Sequence, residues 1–173
     1  MGEKNTARIM LGIFLVVGML VSLFLLYEHF STTASKFCTF GQSFNCGIVN
    51  KSPYANLDGI FYLMTIDYGW NVPLLNISDL NLFLDFITAN AFLGFLALLF
   101  VFILNAMYKK PKFLWVGREE NVKWIRGVLI FGLIYGAYLF YIQHAILQTY
   151  CLFCLILDFA MILSLIASYR IKA

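Results

Sequence analysis

The stretch YCLFCLILDFAMILSLIASYR, residues 150–170, decides how the rest of the chain is read. About twenty mostly apolar residues are what an α-helix needs to cross a hydrocarbon core of about 30 Å. The run is continuous rather than alternating, so a helix, not a barrel strand, is the element that satisfies its own backbone in lipid. Yet it opens on a C-x-x-C pair, Cys151 and Cys154, and carries Asp158 one turn further on. A helix that merely fills a bilayer needs neither.

Three more runs of this kind precede it, at about residues 9–30, 86–108 and 122–147, with the last helix itself placed at about 150–169. The whole chain is 62% hydrophobic and only 12% charged, whereas a soluble domain is about half apolar. The expectation is an all-α integral membrane protein: one domain over residues 1–173, built as a four-transmembrane-helix bundle. The first run is too long for the apolar core of a cleaved signal peptide and reads as a retained signal anchor. A net charge of +3 gives no reason to expect a nucleic acid as partner.

The placement of charge orients the bundle. Lys4, Arg8, Lys109, Lys110, Lys112, Arg118, Lys123, Arg126, Arg170 and Lys172 fall in the two tails and the connection between the second and third runs. Residues 31–85 contain only Lys36 and Lys51. Lys and Arg concentrate on the cytoplasmic side of a membrane, so both termini are expected in the cytoplasm and residues 31–85 on the outer face. Within that outer loop, Ser52 followed by Pro53 reads as the N-cap and first turn of a short interfacial helix at about 53–65. Tyr68 and Trp70 suit an interfacial belt. Asn76 begins an N-x-S sequon, which matters only in a eukaryotic host.

All four cysteines then lie on the outer side, where an oxidising compartment permits disulfides. Cys38 and Cys46 form a C-x7-C pair in the loop, and Cys151 and Cys154 head the last helix. Four cysteines allow three pairings, and spacing does not choose among them. The positive end of a helix favours a thiolate, the form that attacks disulfides and electrophiles. An exposed pair beside a pair at the membrane surface makes an electron relay between soluble thiols and a lipid-dissolved acceptor. His29 and His144 lack metal-ligand spacing, and no metal is expected.

The order C-x7-C, then SPYA (52–55), then C-x-x-C at the head of the last helix resembles the vitamin K epoxide reductase family, which includes microbial quinone-linked disulfide-forming proteins. A second group of four-helix bacterial oxidases carries its C-x-x-C early and its other pair late, the reverse of this order. The resemblance implies that Cys154 faces the quinone, that Cys151 exchanges with Cys46 through an interpair disulfide, and that Cys38 meets the redox partner. It implies an active-site role for Ser52 and a quinone hydrogen bond from Asn90. Asp158 is a departure, since vertebrate members have tyrosine there. It shares a helix face with Cys154, about 40° and about 6 Å away. An ionisable group inside a membrane helix is a functional candidate by default, and a neutral carboxyl there could donate to a quinone carbonyl.

The expected activity is therefore quinone-dependent thiol–disulfide oxidoreduction supporting disulfide formation. The substrate quinone is of the menaquinone, ubiquinone or vitamin K type, and the electron donor is a separate thioredoxin-like protein. Two alternatives share the sequence: a vitamin K epoxide or quinone reductase working for its quinol product, and a non-enzymatic scaffold with structural disulfides.

Overall fold

The apolar runs fold as helices. The computed structural model describes residues 2–31, 38–40, 43–70, 80–107, 112–113 and 116–171. Four long helices make the body: α1 (Gly2–Phe30), α5 (Asn90–Ala106), α6 (Arg118–Tyr141) and α7 (Leu152–Arg170). Between α1 and α5 lie a hairpin of β1 (Thr39–Phe40) and β2 (Phe44–Asn45), then α2 (Cys46–Asn50), α3 (Gly59–Tyr62) and α4 (Leu82–Thr88). A second small hairpin, β3 (Lys112–Phe113) with β4 (Val116–Gly117), leads into α6. Helix α1 packs against α5 and α7, and α6 packs against the same two from the opposite side.

The core occupies the end of the body nearest the N-terminus. Leu11 and Leu15 of α1 meet Val101 and Leu104 of α5 and Ile125 and Leu129 of α6, all buried. These positions recur at three- and four-residue spacing, so each helix turns one stripe inward. The other faces are just as apolar: Phe131 is 71% exposed, and Ile134, Phe159 and Ile166 also point outward. Helices apolar all round belong in lipid. Among the described residues, three segments are long and apolar enough to cross a membrane, Thr6–Phe30, Glu120–Ile146 and Leu152–Arg170, while Asn90–Ala106 is a shorter apolar helix. An integral membrane protein is the consistent reading.

Two boundaries differ from the sequence expectation, for one shared reason. The run expected from residue 86 is divided at Ala89, whose ψ of 126° is extended, so α4 and α5 are separate helices. Residue Asn56, also extended, pairs antiparallel with Ala89, and the Leu57 N–H donates to the Thr88 carbonyl at 3.1 Å. The same pairing interrupts the helix expected at 53–65. It becomes a 3₁₀ turn at Pro53–Ala55, then α3, then a wide π turn at Leu63–Asp67. Gly59 permits the fold-back: a Cβ there would lie 2.6 Å from the Tyr54 Cα.

Pro53 does open its turn, but Ser52 does not cap it. The Ser52 hydroxyl donates backwards to the Val49 carbonyl at 2.8 Å. Helix α1 begins earlier than residue 9, at Gly2. Asn76 and the basic residues Lys36, Lys109, Lys110 and Lys172 lie outside the described residues.

Candidate functional site

Cys151 is the N-cap of α7, in extended conformation, and its Sγ accepts the Cys154 N–H at 3.2 Å. Of the three possible pairings, the structure has Cys38–Cys46 and Cys151–Cys154, with Cα separations of 5.5 and 5.2 Å. Cys38, Cys46 and Cys151 are fully buried in one cluster with Leu25 of α1, and Cys154 packs against it. The outer pair is therefore not the exposed pair expected from its loop, because the hairpin that carries it is docked onto the start of α7. Backbone hydrogen bonds bring the pairs together. The Asn45 N–H donates to the Tyr150 carbonyl at 3.0 Å, and the Tyr150 N–H donates to the Ser43 carbonyl at 3.0 Å. The residue before Cys46 is thus tied to the residue before Cys151. Asn45 also caps α2, its side chain accepting the Ile48 N–H at 3.2 Å.

Beside this cluster lies a cleft of about 710 Å³, its open mouth included, lined by Cys154, Asp158, Asn90, Ser52, Tyr54 and His29 among others. A second, more apolar cavity between α5, α6 and α7 shares Asn90, Gly136 and Asp158 with it. All the predicted quinone-side residues therefore meet at one place. Cys38 and Cys46 cluster with Cys151, and neither lines the cleft.

Asp158 accepts no hydrogen bond from any described residue, so it does not serve as a tie between helices. Its space comes from Gly136 on α6, where an added Cβ would collide with the Asp158 Oδ1. Asn90 is more heavily engaged. Its Nδ2 donates to the Tyr54 carbonyl at 2.8 Å, and its Oδ1 accepts the Tyr135 hydroxyl at 2.8 Å. One amide hydrogen remains for a ligand. The Tyr54 hydroxyl donates to Asp67. Burial, reinforced by that carboxylate, holds the Tyr54 phenol above the ordinary tyrosine range, so it stays protonated.

A membrane bundle with two adjacent cysteine pairs, the second facing a cleft between helices, is a specific combination. The family model described as Vitamin K epoxide reductase family matches residues 9–169. The chain belongs to the vitamin K epoxide reductase family. No curated protein matches the chain significantly. Members of the vitamin K epoxide reductase family are oxidoreductases of the membrane that work in disulfide and quinone chemistry, with quinone-type substrates in general.

Several polar residues of this vitamin K epoxide reductase family member escaped the sequence reading. Glu28 of α1 is fully buried and accepts the Asn50 Nδ2–H at 3.0 Å. His29 Nδ1 lies 2.5 Å from the Asn50 carbonyl oxygen, and its Nε2 lies 3.1 Å from Asp85 Oδ1, which also accepts Asn56 Nδ2–H at 2.7 Å. These bonds join α1, α2 and α4, and His29 and Asn50 also line the cleft. His144 is elsewhere, its Nδ1 2.6 Å from the Tyr150 hydroxyl. Among the described residues, no group of three or more His, Cys, Asp or Glu could hold a metal. Gln143 is 2% exposed, and its Oε1 accepts the Cys151 N–H at 2.7 Å. Glu28 and Gln143 both interrupt apolar runs, the signal that singled out Asp158.

Proposed function

We propose that this protein is a quinone-dependent thiol–disulfide oxidoreductase that supports disulfide formation. The observation that carries the reading is the Cys154 sulfur sharing a cleft with Asn90 and with an Asp158 carboxyl that no described residue engages. In the proposed orientation both termini are cytoplasmic and the four cysteines lie at the outer surface. Helix α5 is the fourth span, its 17 residues covering about 25 Å. The outer redox loop is the hairpin with α2 and α3.

Electrons enter at the outer pair. A thiolate of a separate thioredoxin-like protein attacks Cys38, forming a mixed disulfide and releasing Cys46 as thiolate. The partner's second thiol, once deprotonated, displaces Cys38 and leaves the partner oxidised. Cys46 attacks Cys151; the Cys46–Cys151 bond forms, the Cys151–Cys154 bond breaks, and the electron pair leaves on the Cys154 sulfur. Cys38 thiolate then displaces Cys151, which restores the outer disulfide and leaves the inner pair reduced. Cys154 passes the pair of electrons to the quinone as the inner disulfide re-forms. Two protons, equal in number to those the partner's thiols release, complete the quinol. Asp158, as the neutral acid, donates at one quinone oxygen, and the remaining Asn90 amide hydrogen orients the other.

The test is anaerobic loss of quinone absorbance with purified protein, menaquinone and a reduced thioredoxin-like donor. Loss that requires both Cys46 and Cys154 is the expected result. Absence of loss with several quinones and folded protein would return the choice to epoxide chemistry or a structural scaffold.

Gly136 supplies a second check. Gly136→Val places a branched side chain where the Asp158 carboxyl now lies. The KM for quinone is expected to rise about tenfold or more, since overpacking costs about 1–3 kcal/mol. Steady-state quinone titration measures it, and an unchanged KM would remove Asp158 from the binding site.

A further inference from the structure

The reaction above asks Cys151 to change partners, from Cys154 to Cys46 and back, while buried among close neighbours. How its backbone is held therefore governs the exchange. On one side it is held through Tyr150, whose N–H and carbonyl bond to Ser43 and Asn45 of the hairpin. On the other side it is held by Gln143.

Gln143 reaches this position because α6 does not end regularly. Its last turn widens into a π turn over Ile142–Ile146, which turns Ile142 and Gln143 inward together, both buried. Wide turns of this kind are rare and are found frequently at functional sites. The chain then reverses through Gln148, in the left-handed region at φ 50°, a conformation that costs a non-glycine residue on the order of 1 kcal/mol. Two bonds close the reversal: the Thr149 N–H donates to the Gln143 carbonyl at 3.1 Å, and the Cys151 N–H donates to the Gln143 Oε1 at 2.7 Å. One residue thus fixes the turn before Cys151 with its backbone and Cys151 itself with its side chain.

We infer that Gln143 is a positioning residue for disulfide exchange, holding the Cys151 backbone still so that only the Cys151 side chain rotates between Cys154 and Cys46. The inference rests on the relay proposed above. In the exchange the Cys46 thiolate forms the bond to Cys151 Sγ while the Cys151–Cys154 bond breaks, and Cys154 carries away the electron pair. Gln143 takes no electron or proton. Its contribution is alignment, and small misplacements of reacting atoms cost large factors in rate.

The experiment isolates that geometry. In the full chain carrying Cys38→Ala and Cys154→Ala, only Cys46 and Cys151 remain. Oxidised glutathione converts them to one disulfide, with two thiols oxidised and one glutathione disulfide reduced to two thiols. The rate of Cys46–Cys151 bond formation is read by alkylation and mass spectrometry. Gln143→Leu, which leaves the Cys151 N–H without its acceptor, is expected to slow it by about tenfold or more. Gln143→Glu keeps an oxygen at the same reach and is expected to restore the rate to within about threefold. An unchanged rate in Gln143→Leu, or a Gln143→Glu protein as slow as Gln143→Leu, overturns the inference. A parent protein that consumes no quinone would instead sink the relay reading, while the glutathione measurement still judges Gln143.

Discussion

Cys154→Ser is expected to abolish quinone reduction, by at least about a thousandfold, with the protein still folded. A serine hydroxyl at this position neither forms the inner disulfide nor becomes an anion near neutral pH, and thiolate is the form that reacts. The change is small in volume, and Cys154 is the least buried of the four cysteines, so packing changes little. The measurement is the same loss of quinone absorbance, with thermal unfolding in detergent as the control for folding. Full turnover in Cys154→Ser would remove the residue from the mechanism and leave the C-x-x-C pair as structural. The companion variant Cys151→Ala leaves the outer pair able to react and is expected to accumulate adducts upstream with the partner.

The second large effect separates the two pairs. Cys46→Ala is expected to lower turnover driven by a thioredoxin-like protein about a thousandfold. Quinone reduction driven by dithiothreitol should stay within about fivefold of the parent. The reason is topological: Cys38 and Cys46 do not line the cleft, and Cys154 does. A small dithiol can enter where a folded partner cannot, and it then reduces the inner pair directly. If dithiothreitol-driven reduction falls as far as the partner-driven rate, Cys46 acts on the quinone side and the proposed order of pairs is wrong. If neither falls, the outer disulfide is a staple.

Residues 150–170 announced a helix because apolarity and length act locally, and that helix exists as α7. The same reasoning placed Cys151 at its start, and the N-cap geometry agrees. It ran one helix from residue 86 because nothing local forbids it. The break at Ala89 is imposed by Asn56, more than thirty positions away, pairing with it in the folded chain. The interfacial helix at 53–65 was divided by the same bridge.

Ser52 shows a subtler limit. Residue type and the following proline matched a cap, but its hydroxyl is claimed by the Val49 carbonyl in the preceding turn. Sequence alone left three disulfide pairings open, and the clustering of both pairs depends on the Tyr150 bonds to the hairpin, a long-range pairing that spacing does not encode. Gln143 is visible as a polar break in an apolar run, but its inward placement beside the cysteines is not. It sits in a helical run whose register predicts one inward face, and the π turn shifts that register by one residue just before the cysteines.

The interlocking leucines near the N-terminal end and the cleft at the other end give the body unequal resistance to opening. Amide hydrogens around Leu11, Val101 and Ile125 should exchange only when the whole bundle comes apart, whereas those lining the cleft should exchange through smaller, frequent excursions. A bulky lipid-soluble molecule can then come and go at one end on a timescale set by those excursions, while the other end keeps the helices in register.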